Sequence, residues 1–247
     1  MTLQDFFREN PAVALGFSGG VDSAYLLHAA VGCGARVGAY YVKTAFQPAF
    51  ELRDAQRLCR ELGAPLRVVE VDILACRPVG ENPPDRCYHC KKALFGALGE
   101  QARRDGFEVL VDGTNASDDA GDRPGMRALG ELAVRSPLRE CGITKSQVRE
   151  RSRKAGLFTW DKPAYACLAT RVPAGEPLSQ ALLKKIERAE ECLFALGFSD
   201  FRVRVPQGVA RLQVPASQMP LVLEKRQDIL LALEGLFPAV TLDLLAR

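Results

Sequence analysis

In the first part of the chain, short, largely apolar runs alternate with stretches in which apolar residues recur every three or four positions. Ala12–Phe17 (AVALGF), Ala35–Val42 (ARVGAYYV), Pro65–Val71 (PLRVVEV) and Glu108–Gly113 (EVLVDG) are the runs, and they read as strands, the first and last of them buried. Thr2 to about Asn10, Ser23–Val31, Glu51–Leu62 and Tyr88–Arg104 read as helices, and Gly63 stops the third of these. Thr144 and Gln147 form a capping box that starts a further helix reaching Ala155. Strands alternating with helices predict an α/β fold, a parallel sheet with helices on both faces.

From Lys162 to Pro177 the composition turns to Pro, Gly and Ala, which predicts a linker with a boundary near Ala169. The expected division is a larger domain over 1–168 and a smaller one over 169–247. The smaller part reads as a helix (Ser179–Leu196), two short strands (Phe201–Val205 and Ala210–Val214), a helix (Gln218–Leu233) and a last strand VTLDLL from Val240. That order suits a small α+β domain.

A chain of 247 residues with 47% apolar content supplies a normal core. Thirty-three basic against thirty acidic residues, net +3 and without long runs of one sign, give no polyanion-binding signature, so nucleic acid is not an expected partner. The first seventeen residues lack a cationic segment followed by an apolar core, and no apolar run approaches the roughly 20 residues that span a bilayer. The expected location is the cytoplasm, with no membrane partner, where the eight cysteines are reduced thiols.

Between the first strand and its helix stands SGGVDS, Ser18 to Ser23. In this position Gly19 and Gly20 let the backbone approach a ligand, and the N–H groups around Val21 with the helix N-terminus present positive charge to phosphate. Ser18 and Ser23 offer hydroxyl donors, and Asp22 suits a Mg²⁺ that bridges phosphates. A tight Gly-Gly turn capped by Asp22 is the bland alternative. No Gly-Lys-Ser/Thr follows, so this is not a Walker A loop. The segment resembles the pyrophosphate loop of the N-type ATP pyrophosphatases, which share an adenine nucleotide alpha hydrolase-like fold. The resemblance implies cleavage of ATP between its α and β phosphates and adenylation of a substrate oxygen.

Cys87-Tyr-His-Cys90 enters a helix, and C-x-x-C is a two-ligand claw for zinc or iron–sulfur; Cys167 adds a third thiolate from the linker. A three-thiolate [4Fe–4S] cluster, a zinc site in which His89 takes part, and inert thiols all remain open at this point. Cys33, Cys59, Cys76, Cys141 and Cys192 read as core or incidental residues.

NPPDRCYHCKKALF, DGTNASDDAGDRPGMRA and KPAYACLATRVPAG, together with the Ser18–Ser23 loop, resemble the LarE family over nearly the whole chain. These ATP-dependent sulfur transferases act in nickel-pincer nucleotide biosynthesis. The resemblance implies that the carboxylates of a pyridinium biscarboxylate mononucleotide are adenylated in turn and converted to thiocarboxylates, with AMP and pyrophosphate released. It also implies one of two sulfur routes: sacrifice of Cys167's own sulfur, or a [4Fe–4S] cluster on Cys87, Cys90 and Cys167 reloaded by a sulfide donor. Three cysteines match the second. A homo-oligomer is expected on the same ground.

In the smaller part, period two puts Arg202 and Arg204 on one strand face and Phe201, Val203 and Val205 on the other. With Arg211 they make either a cradle for a 5′-phosphate or a solvated face; the resemblance favours the cradle and adds Glu190 as a site carboxylate. It would place Glu where this chain has Gln213, and a longer tail where this chain ends at Arg247. Thr44 and Gly113, at the ends of the second and fourth strands, are expected in the ATP site. Lys91 and Lys92 read as a solvated helix face. The competing functions are tRNA thiolation, a nucleotide or metal sensor without turnover, and an amidotransferase-like synthetase.

Overall fold

A computed structural model describes residues 1–118 and 124–247, so residues 119–123 of the DGTNASDDAGDRPGMRA segment lie outside the described residues. In chain order the first elements are α1 (Leu3–Glu9), β1 (Ala12–Gly16), α2 (Val21–Gly32), β2 (Arg36–Lys43), α3 (Ala49–Glu61) and β3 (Leu66–Glu70). There follow α4 (Arg77–Gly80), α5 (Arg86–Arg104), β4 (Val109–Val111), α6 (Pro124–Glu131), α7 (Pro137–Glu140) and α8 (Lys145–Lys154). The rest comprises α9 (Gln180–Ala195), β5 (Arg202–Arg204), β6 (Ala210–Gln213), α10 (Met219–Glu224), α11 (Arg226–Ala232) and β7 (Val240–Leu242). Two compact units result, Met1–Cys76 with Asp85–Lys162, and Arg77–Pro84 with Pro163–Arg247.

The larger unit is a mixed α/β structure on a four-stranded parallel sheet in the order β3-β2-β1-β4. Successive side chains of an inner strand point to opposite faces, and two apolar cores form accordingly. Leu15, Ala39 and Tyr41 join Phe6, Leu26, Leu27, Leu58 and Val148 in one, while Ala14 and Tyr40 join Leu98, Ala102 and Phe107 in the other. The runs of the inner strands β1 and β2 were legible because a strand covered twice has no polar side to show, whereas the edge strand β3 is mostly exposed. Two capping boxes, Thr2 with Asp5 and Thr144 with Gln147, start α1 and α8. The helices α6 and α7 were not anticipated from the sequence.

In the smaller unit β5 pairs antiparallel with β6, which pairs parallel with β7. α9 buries Leu183, Ile186, Ala189 and Leu193 at helical spacing, and Phe201, Val203, Val205 and Leu212 are buried from the strands. Three expectations are corrected here. The single helix over Gln218–Leu233 is two, interrupted at Lys225 (φ −88°, ψ 14°); Val222 and Ile229 anchor the halves separately, so no common axis is imposed. The last strand stops at Leu242 because the Asp243 side chain accepts the Leu245 N–H, an Asx turn that takes the chain out of the ladder. The stretch expected as a linker carries a 3₁₀ turn, Leu168–Arg171, with Leu168, Ala169 and Arg171 buried.

Among the described residues no helix is long and apolar enough to cross a membrane.

Candidate functional site

In the larger unit the chain leaves β1 through Phe17 and Ser18 and turns at Gly19, whose φ of +73° is open to glycine at little strain. Gly20 caps α2 without a side chain, so the first N–H groups of that helix keep no side-chain partner at the cap. The Ser18 and Ser23 hydroxyls lie 3.2 Å apart, and Ser23 donates to the Gly20 carbonyl at 3.2 Å. Val21 is buried and anchors the turn in the core. Gly113, just past β4, closes over this junction: a Cβ there would stand 2.9 Å from the Ser23 backbone nitrogen.

Asp22 has two partners that its own neighbourhood in the sequence does not announce. Lys145 Nζ stands 2.5 Å from one carboxylate oxygen, and Asn115 Nδ2 donates to the other at 3.2 Å. Lys145 opens α8 and its backbone N–H donates to Ser117 at 3.0 Å; Asn115 is buried and accepts from the Ser117 N–H at 2.8 Å. The segment after β4 and the start of α8 are thereby tied to the SGGVDS loop.

An open cavity of about 300 Å³ adjoins this loop, lined among others by Ser18, Gly20, Asp22, Ser23, Lys91, Asp112 and Gly113. A second, of about 140 Å³, is more apolar and is lined by Phe17, Tyr40, Tyr41, Val42, Gln47 and Leu94. Gly16, Ser18 and Phe95 line both. Lys91 therefore faces a cavity, contrary to the solvated face expected of it, because α5 turns that side toward the strand ends. Lys92 does remain outside, paired with Glu131 at 3.0 Å. Thr44 is buried and its N–H and hydroxyl both donate to Gln47 Oε1, at 3.0 and 2.8 Å. Gln47, not Thr44, lines the apolar cavity.

Cys87 and Cys90 lie one turn apart at the start of α5, the first exposed and the second buried. His89 Nε2 stands 3.4 Å from Asp85. Within either unit, no group of three or more His, Cys, Asp or Glu side chains is gathered as a metal-holding cluster among the described residues. Cys87 and Cys90 belong to the larger unit and Cys167 to the smaller.

In the smaller unit Cys167 is half-buried and opens the 3₁₀ turn. Glu190, on α9, is 1% exposed. Its carboxylate accepts from Arg171 Nε at 2.8 Å and Nη2 at 3.1 Å, from the Val203 N–H at 2.9 Å and from the Tyr165 hydroxyl. Four donors fill the roughly four acceptor sites of a carboxylate. Burial by itself would lower the pKa of Arg171, but the hydrogen bond and charge of Glu190 outweigh it and the guanidinium stands above its ordinary value.

Arg202 is buried, so the strand face expected to be cationic and open is only partly so. Its side chain donates to the carbonyls of Phe201 and Ala164. Burial, then the charges of Arg171 and Arg247, push its pKa down to about 10. Arg204, half-buried, is pushed down by burial and then by Arg171, Arg211 and Arg247. It donates to Gln213, which passes the contact on to Asp243 at 2.7 Å. Asp243 thus stands behind Gln213 as the nearby carboxylate. Arg211 is the exposed member, 3.7 Å from Asp243, and Arg247 pairs with Asp200 at 3.2 Å. Five guanidinium groups against Glu190, Asp200 and Asp243 leave positive charge suited to an oxyanion.

These features define an α/β protein with a polar cavity at the carboxyl edge of a parallel sheet, where such sheets bind nucleotides, and a separate arginine-rich unit. No family model matches the chain. It is 37% identical over 221 residues to an uncharacterised protein of Synechocystis, covering 88% of this chain and 81% of that one. It is 31% identical over 246 residues to the pyridinium-3,5-bisthiocarboxylic acid mononucleotide synthase of Lactiplantibacillus plantarum, covering 98% and 89%. An uncharacterised protein of Methanocaldococcus jannaschii is 30% identical over 227 residues, covering 92% and 86%. The chain belongs to the LarE family, that of the L. plantarum synthase.

Proposed function

We propose that this chain is an ATP-dependent, AMP-forming sulfur transferase that converts the carboxylates of a pyridinium biscarboxylate mononucleotide to thiocarboxylates in nickel-pincer nucleotide biosynthesis. The observation that carries the reading is the identity to the L. plantarum synthase along 98% of the chain. The fold class, the SGGVDS loop and the arginine-rich unit support it.

In this reading Ser18–Ser23 is a pyrophosphate loop. The N–H groups of Gly19, Gly20 and Val21 and the N-terminus of α2 hold phosphate oxygens, with Ser18 and Ser23 as hydroxyl donors. Gly113 keeps the loop close to the strand ends, and the cavity beyond Phe17, behind Thr44 and Gln47, takes the base. Asp22 would be the residue to hold Mg²⁺, which would offset phosphate charge there. Lys145, the partner of Asp22, would then be available to a phosphate oxygen. A substrate carboxylate oxygen attacks the α-phosphorus, the bond to the β-phosphate oxygen breaks, and pyrophosphate leaves. Sulfur then attacks the acyl carbon, and AMP departs with the C–O bond pair. Arg202, Arg204 and Arg211 hold the substrate's 5′-phosphate.

Three thiolates suit an iron–sulfur cluster in donor type. Cys87, Cys90 and Cys167 would be the ligands of a [4Fe–4S] cluster, which would supply an iron site for exogenous sulfide. A sulfide donor and a homo-oligomer in the cytoplasm complete the proposal.

The test is anaerobic purification of wild type and of Cys87→Ala, Cys90→Ala and Cys167→Ala, followed by iron, labile sulfide, AMP and product mass. About four irons and four sulfides in the wild type only, with AMP and thiocarboxylate formed together, are expected. Protein that stays iron-free after reconstitution and carries dehydroalanine at position 167 after turnover would replace the cluster by sacrifice of the cysteine. Absence of substrate-dependent AMP would remove the function itself.

A further inference from the structure

The loop that carries Cys167 is made of small, mostly exposed residues: Pro163, Ala164 and Ala166 are exposed, and Tyr165 is half-buried. Such a segment has little apolar surface to hold it, and ordering it opposes chain entropy. Its backbone is nevertheless held from the interior at three carbonyls. Arg202 donates to Ala164. Arg171 Nη1 donates to Ala166 at 2.9 Å. The N–H and hydroxyl of Thr170 donate to Cys167 at 3.0 and 2.8 Å. Arg171 also donates to the Thr170 hydroxyl at 2.9 Å, which joins these contacts into one network.

Tyr165 is the side chain that this loop sends into that network. Its ring lies beside two guanidinium groups, with the Arg171 carbon 4.6 Å and the Arg202 carbon 5.2 Å from its centroid. Its hydroxyl donates to Glu190, whose remaining acceptor sites are taken by Arg171 and the Val203 N–H. A ring face attracts cations and the hydroxyl completes the carboxylate, so the one side chain engages both signs of the buried pair.

We propose that Tyr165 is the positioning residue of the Cys167 loop, bracing it against the buried Arg171–Glu190 pair so that the thiol is presented in one place for sulfur transfer. The proposal rests on the function proposed above. In this role Tyr165 acts through the loop and not on the reacting atoms. The transfer it serves must follow adenylation closely, because an acyl adenylate left waiting is lost to water with release of AMP and no sulfur gained.

The experiment compares wild type with Tyr165→Phe, which keeps the ring and removes the hydroxyl, and Tyr165→Ala, which removes both. In anaerobically reconstituted protein with ATP, Mg²⁺ and the pyridinium biscarboxylate mononucleotide, AMP released per thiocarboxylate formed is measured. A rise of about threefold in the Phe variant and about tenfold in the Ala variant is expected, below the ~100-fold that a 1 Å misplacement brings. Loss of both products in proportion would mark Tyr165 as a fold residue and overturn the proposal, as would an unchanged ratio. A second readout is independent of the function: in reduced, metal-free protein, iodoacetamide labelling of Cys167 is timed by peptide mapping against the exposed Cys33. The Cys167:Cys33 rate ratio is expected to rise severalfold in the variants, and an unchanged ratio overturns the brace. If wild type forms no AMP from this substrate, the proposed function fails while the labelling ratio still decides the role of Tyr165. Should the Ala variant not fold, the Phe variant carries both measurements.

Discussion

An ion pair in the larger unit and one in the smaller are built oppositely. Lys145 and Asp22 meet at 2.5 Å beside an open cavity, with side chains 35% and 22% exposed. Arg171 and Glu190 meet at 2.8 Å with side chains 0% and 2% exposed. Water screens the first and weakens it, so a ligand cation or phosphate can exchange for either partner at modest cost. The second lies where an unpaired charge is prohibitive, and every acceptor site of Glu190 is filled from within the unit. An open pair is suited to binding, a closed one to holding shape. Asp22 and Lys145 thus stand open to whatever enters the cavity, and Arg171 and Glu190 belong with the frame that carries Cys167 and Arg202.

Three single substitutions and one double variant sharpen or break this contrast. The largest effect is expected from Glu190→Ala, which leaves the Arg171 guanidinium buried without its counter-charge, a loss of about 3–5 kcal/mol. Urea unfolding followed by amide exchange in α9 and β5 measures it. The double variant Arg171→Met with Glu190→Leu is expected to regain most of that loss; if it does not, the pair is more than a mutually compensating charge. Next comes Gly113→Ala. Its Cβ would press on the Ser23 nitrogen at 2.9 Å, with strain of about 1–3 kcal/mol. Equilibrium binding of ATP is expected to weaken, and unchanged affinity would detach this contact from the nucleotide. The smallest effect on stability belongs to Lys145→Ala, under about 1 kcal/mol by thermal unfolding. A larger loss would show the open pair to be structural and would end the comparison.

What could be read in advance follows the range of the interactions. The strand ends and the SGGVDS turn were legible because each is a property of neighbours: a doubly covered strand shows an apolar run, and a tight turn into a helix calls for glycine. The same holds for the Thr144–Gln147 capping box, written within four residues. Lys145 and Asn115 escaped, being 123 and 93 residues from Asp22. Lys91 was misread because a single turn of helix does not say which side meets a cavity. The division of Gln218–Leu233 at Lys225 escaped too, since two half-helices each anchored by one apolar residue carry nearly the same periodicity as one.

The smaller unit shows the limit most clearly. Alternation in FRVRV separated the apolar side chains from the arginines, and Phe201, Val203 and Val205 are indeed buried. It gave no sign that Arg202 is buried as well, or that Arg171 and Glu190 close on each other and on Tyr165. By itself the sequence determined the parallel α/β plan, the glycine turn before α2 and the three segments that mark the family, because periodicity, turn chemistry and motif are local. Only the tertiary structure decided which carboxylate faces a cavity and which is locked inside, because burial and charge compensation are made by partners brought together from distant parts of the chain.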